Sequence, residues 1–173
     1  THLRLTSSTA PSGYRDKFWE LRDLYQAFND HMAEVFEPGW IVCVDESMVI
    51  FTNPGCPGWV RVKRKPHPYG NEVHTTACGC SKVIFWMEIF EGKDQPTGGP
   101  HSTKKYTCGE RNKTEALVLR ATDCLHNTGR VVVLDSGFGG IHAPLGLLSV
   151  GLFCTCVIKK KRYWPTGAEG DKV

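Results

Sequence analysis

The sequence has no run of eighteen apolar residues, so none of its segments is expected to cross a bilayer as a helix. Its opening, THLRLTSSTAPSGYRDK, lacks the basic start, apolar core and small-residue cleavage site of a secretory leader. The NKT at Asn112 to Thr114 therefore reads as an accidental sequon. Neither sign of charge is in large excess, and the formal net of +3 is too little to prove a polyanion partner. There is no G-x-x-x-x-G-K-[ST], which removes a P-loop. The nearest approach to G-x-G-x-x-G has His142 in place of the third glycine, after Gly137, Gly139 and Gly140. No Cys-x-x-Cys knuckle and no internal repeat occur, which weakens structural zinc and sets solenoids aside.

What is present is an ordinary globular composition, 40% hydrophobic and 23% charged, in 173 residues. That length holds one domain with an appreciable core. We assign residues 1–15 as a loose N-terminal segment, 16–165 as the domain and 166–173 as a tail. Of eight cysteines, Cys43, Cys78, Cys80, Cys124, Cys154 and Cys156 lie in or beside apolar runs, where a reduced thiol acts as a small core residue. A reducing compartment follows. Two Cys-x-Cys pairs, with His74 or His101 near, are weighed against zinc and read as buried thiols. Trp40 and Trp86 fall in strands and are expected in the core. Basic residues gather in RVKRK (Arg61 to Lys65), in Lys104 and Lys105, and in KKKR (Lys159 to Arg162), and such clustering is what phosphate contact requires.

From Phe18 to Phe36 apolar residues recur at three- and four-residue steps, predicting an amphipathic helix stopped by Pro38 and Gly39. WIVCV (Trp40 to Val44) then predicts a strand that meets Asp45 and continues through ESMVIF. NEVHTTACG and KVIFWMEIF predict a hairpin, its second strand apolar on both faces and so central. KTEALVLRATDCLHNTG predicts a helix capped by Thr114 and stopped by Gly129. RVVVLD, IHAPLGLLSVG and LFCTCVI follow as strand, helix and strand. The order predicts an α/β fold, a mixed sheet wrapped by helices.

Runs such as WIVCV and VVVL suit parallel strands covered on both faces. Ligands of open α/β sheets gather beyond the carboxyl ends of such strands, where Asp45 and Asp135 both fall if the two strands are neighbours. Side by side, two carboxylates repel, and a divalent cation removes the repulsion. The plainer reading of Asp135, before Ser136 and Gly137, is a turn. For the pair we favour a metal site.

Read in order, PGWIVCVDESMVIF, KPHPYGNEV, WMEIFEGK, VVVLDSGFGG and CTCVIKKKRYWP resemble the transposase domain of the piggyBac family, over about Leu21 to Pro165. The resemblance implies a ribonuclease H-like fold. It also implies cut-and-paste DNA transposition by three acids holding two Mg²⁺ (or Mn²⁺) ions, with Asp45 as the first catalytic and metal-binding acid and Asp135 as the second. The third is expected beyond the chain, since Asp171 stands too close to the basic strand, so a fragment alone is expected to be inactive. The implied partners are double-stranded DNA at transposon ends and target, with a homodimer among the expected assemblies, no membrane, and the nucleus as location. Lys63, Lys65, Lys159, Lys160, Lys161 and Arg162 are the candidates for DNA backbone contact. The turn SGFGG and the strand CTCV depart from the family's Asn-aromatic-Thr-Ser turn and Gly-Thr-Val strand. A domesticated, non-catalytic DNA-binding remnant is therefore the competing expectation.

Overall fold

The computed structural model describes residues 16, 18–56, 58–91, 106 and 112–158. The segments 1–15 and 166–173, and with them Lys159, Lys160, Lys161 and Arg162, lie outside the described residues. The elements are α1 (Trp19–Val35), β1 (Ile41–Ile50), β2 (Val60–Arg61), β3 (Tyr69–Cys78), β4 (Ile84–Ile89), α2 (Lys113–Ala121), β5 (Val131–Leu134), α3 (His142–Ser149) and β6 (Phe153–Cys156). Strands hydrogen-bond in the order β2-β3-β1-β5-β6, with β4 also on β3. β1 with β5 and β5 with β6 are parallel, β2 with β3 antiparallel. The result is the expected mixed sheet flanked by helices.

β1 runs unbroken through Asp45 and Glu46, so the sheet continues past the acids as the apolar residues after them predict. Three local expectations are corrected. β4 pairs only with β3 among the described residues, so it is an edge strand rather than a central one. Its apolar character is explained by α1, which packs on it, and its open backbone is met by a side chain. The Asn29 amide donates to Met87 O at 2.9 Å and accepts the Met87 N–H at 2.8 Å, as a neighbouring strand would. α2 is capped by Asn112 rather than Thr114, the Asn112 side-chain oxygen accepting the Thr114 N–H at 3.0 Å. α2 also ends early, at Ala121, with a separate 3-10 turn at Asp123–Leu125. Thr122 turns its hydroxyl back onto Val118 O at 2.9 Å, a bond that competes with helix continuation.

By internal contacts the chain divides into two compact units. The first comprises Thr1–Glu37, Glu46–Thr76 and Ile84–Lys104. Phe18, Val73, Phe85 and Ile89 are buried in it, and Phe36 meets Phe85 at 5.8 Å between ring centroids. Arg22 joins Asp16 (2.8 Å) to Glu91 (2.6 Å). Burial alone would lower the pKa of this guanidinium, and the hydrogen bonds to Asp16 and Glu91 outweigh it and raise it.

The second unit comprises Pro38–Asp45, Ala77–Val83 and Lys105–Val173. Val42, Val44 and Val132 are 0% exposed, and Leu134, Ala116, Val118, Leu119, Leu147 and Leu152 are buried with them. Each of the valines and leucines contributes roughly 1.5–3 kcal/mol of hydrophobic stabilisation, largely offset by chain entropy. α2 and α3 approach closely because residue 146 is glycine: a Cβ there would lie 2.8 Å from Glu115 Cγ. The expectation that both faces of WIVCV and VVVL are covered is corrected. Val42, Val44, Val132 and Leu134 are buried, but Ile41 is exposed, Cys43, Val131 and Val133 are half-buried, and Trp40, expected in the core, is 69% exposed.

Candidate metal centre

Four register pairs link β1 to β5: Ile41 with Val131, Val42 with Val132, Cys43 with Val133 and Val44 with Leu134. Continuing the register by one residue sets Asp45, in the middle of β1, beside Asp135, the residue after the end of β5, on one face. Carboxylate oxygens of the two lie within 4.8 Å of each other. The opposite end of the strand pair is pinned by Arg130, which donates to Pro38 O at 3.0 Å and to Gly39 O at 3.2 Å. The Val131 N–H adds a bond to Trp40 O at 2.9 Å. That end fixes the register, and the register brings the acids together.

Asp135 is also a turn residue, so both readings of it hold at once. Its Oδ1 accepts the Gly137 N–H at 2.6 Å and the Phe138 N–H at 3.4 Å. No hydrogen bond from a described residue reaches its Oδ2. The glycines that follow serve this turn. A Cβ at Gly137 would meet Asp135 Oδ1 at 2.9 Å, and one at Gly139 would strike Val157 O at 2.1 Å. Cys43, one pair inward on the same face, senses the acids: burial first, then Asp45 and Asp135, push its thiol pKa up.

Two carboxylates no more than 4.8 Å apart repel by about 1 kcal/mol in a water-like medium and about 3–4 kcal/mol at an effective dielectric near 20. Hard oxygen donors at this spacing fit a divalent cation such as Mg²⁺ or Mn²⁺ and do not fit a soft, thiolate-seeking one. Glu46, covalently next to Asp45, brings an oxygen within the same distance. Its side chain is buried and engaged by Arg64 and, at 3.7 Å, by Lys65. It is a salt-bridged group first.

The structure separates the candidate backbone-contact residues. Lys63 is exposed. Lys65 is half-buried and directs its ammonium to Glu46 O at 2.9 Å. Arg61 and Arg64, part of the basic cluster RVKRK but not among the individual candidates, are exposed on the same hairpin. The Arg61 guanidinium lies 5.6 Å from the Tyr69 ring, which Trp59 stacks at 5.6 Å. Alternation of basic and apolar residues in WVRVK was the available signal. His74 faces Glu72 at 3.5 Å, and this hydrogen bond holds the Glu72 carboxyl below its usual range. Every described cysteine is a free thiol, but Cys80 and Cys124 are exposed and are not the core residues expected.

A family model described as Transposase IS4 matches residues 1–170. No curated protein matches the chain. A solved structure, the piggyBac transposase synaptic complex with hairpin DNA by cryo-electron microscopy, matches with TM-score 0.70 and 21% identity over 87% of this chain. The chain spans 30% of that transposase's length.

Proposed function

The chain belongs to the Transposase IS4 family, and from that premise we propose that Asp45 and Asp135 hold a divalent cation, Mg²⁺ or Mn²⁺, against a DNA phosphodiester during strand cleavage and transfer. The supporting observation is the β1–β5 register, which brings the two carboxylates together where β5 ends beside the middle of β1. When bound, the cation supplies Lewis acidity, drawing charge from phosphate oxygens and easing proton loss from the attacking hydroxyl. The protein's part is placement. The turn at Gly137 and Phe138 holds Asp135 Oδ1, leaving Oδ2 to face the ion, while β1 presents Asp45 from the neighbouring strand. Arg61 and Lys63 contact the DNA backbone, which positions the DNA without reading its sequence. The matched transposase was solved in a synaptic complex with hairpin DNA, and this supports DNA as the partner. Cut-and-paste transposition, a third acid, dimerisation and work in the nucleus belong to the longer protein in this proposal.

The test is cleavage by the longer protein carrying this segment. Nicking of terminal-repeat DNA is expected only with Mg²⁺ or Mn²⁺ and is lost in Asp45→Asn and Asp135→Asn. Cleavage surviving in Asp135→Ala overturns the assignment. DNA binding with no cleavage under any divalent ion favours the non-catalytic remnant.

A further inference from the structure

The turn joining β3 to β4 reads Cys78-Gly79-Cys80-Ser81, and its backbone is tightly held. Cys78 N donates to Val83 O and Lys82 N to Cys78 O, each at 2.9 Å, and Gly79 N donates to Ile41 O at 2.8 Å. The Cys78 sulfur accepts the Gly39 N–H at 3.4 Å and the Ser81 N–H at 3.5 Å. Convergent N–H donors stabilise a thiolate. Two sulfurs share the room left by a missing side chain: a Cβ at Gly39 would lie 3.4 Å from Cys80 Sγ and 3.8 Å from Cys78 Sγ. The pair is also unequal, with Cys78 buried at 3% exposure and Cys80 open to solvent.

We propose that Cys78 and Cys80 form a thiol–disulfide exchange site for glutathione-type disulfides, with Cys80 as the entry thiol and Cys78 as the resolving nucleophile. This does not rest on the transposase reading. In the first step the Cys80 thiolate attacks one sulfur of the disulfide, forming a mixed disulfide and releasing one glutathione thiolate. In the second, the Cys78 thiolate attacks the Cys80 sulfur, forming the Cys78–Cys80 bond and expelling the second glutathione thiolate. Two protein thiols are oxidised and one small disulfide is reduced to two thiols, with the two protons passing to solvent or to the released thiolates. Burial keeps Cys78 from external reagents but not from its neighbour. Hydrogen bonds from Ser81, then from the Gly39 and Cys80 backbone, draw the Cys78 pKa down to about 6, with burial acting the other way. A thiol with a pKa near ambient pH is the best placed for such attack.

The experiment exposes the protein to oxidised glutathione, quenches with acid and maps peptides by mass. The wild type is expected to yield the Cys78–Cys80 disulfide, Cys78→Ser a lasting mixed disulfide at Cys80, and Cys80→Ser neither. A lasting mixed disulfide at Cys80 in the wild type overturns the proposal. A second measurement needs no variant. The resolving step should slow by less than about threefold between about pH 8 and about pH 7, where an ordinary thiol slows nearly tenfold, and a tenfold slowing contradicts the proposed role of Cys78.

Discussion

Replacing Asp135 with asparagine separates its two roles. Asparagine keeps a side-chain oxygen for the Gly137 and Phe138 N–H groups, which Asp135 Oδ1 accepts at 2.6 and 3.4 Å. It removes the charge that lies within 4.8 Å of Asp45. Without metal, the lost repulsion is worth about 1 kcal/mol given the exposure of Asp45, so Asp135→Asn should melt about 2–4 °C above the wild type. Asp135→Ala loses the turn bonds as well and should fall below Asp135→Asn by about 0.5–2 kcal/mol. With Mg²⁺ or Mn²⁺ at about a hundred times its dissociation constant, the wild type should gain about 2.7 kcal/mol, and neither variant should gain comparably. Differential scanning calorimetry with and without the ion reads all of this. If Asp135→Asn melts as low as Asp135→Ala without metal, or is stabilised by the ion as much as the wild type, the reasoning fails.

Gly139→Ala should destabilise by on the order of 1–3 kcal/mol in urea titration, because its Cβ would strike the backbone oxygen of Val157 at 2.1 Å. A wild-type midpoint would show that the turn is not so tightly set. Asn29→Ala should cost about 1–2 kcal/mol and promote association, since it bares the edge at Met87 now held at 2.8 and 2.9 Å. Light scattering and melting on the purified variant check this. The hydrogen bond to His74 depresses the Glu72 pKa below 4.5 in the folded state. The stabilisation it brings is therefore present above pH 4.5 and is lost as pH falls through the folded value, so a wild type and His74→Phe pair should differ near neutrality and converge in acid. Arg61→Ala and Lys63→Ala should each weaken DNA binding and flatten its logarithmic salt dependence by about one unit, whatever the DNA sequence. An unchanged slope would remove both residues from the interface.

The sequence made the pairing of the two acids legible through a short chain of reasons. An apolar run meeting an acid, twice, implied parallel strands, and parallel neighbours in this register place the two acids side by side. The register bears that out down to the pair Asp45 and Asp135. What was not legible depended on partners distant in sequence. β4 looks central because α1 covers it, and only the meeting of Asn29 with Met87 reveals an edge. Lys65 reads as a free surface cation until Glu46, 19 residues earlier, is seen to hold it. Trp40 reads as core because large aromatics usually are, yet 69% of it is exposed. Local pattern records which residues turn inward; it does not record which element, if any, lies opposite.

The most direct test of the central claim is a crystal of this protein soaked in Mn²⁺ and measured at a wavelength where manganese scatters anomalously. The predicted result is a peak between the middle of β1 and the end of β5, bonded to both Asp45 and Asp135 at about 2.0–2.3 Å. Two carboxylates turned apart with no peak between them would contradict it.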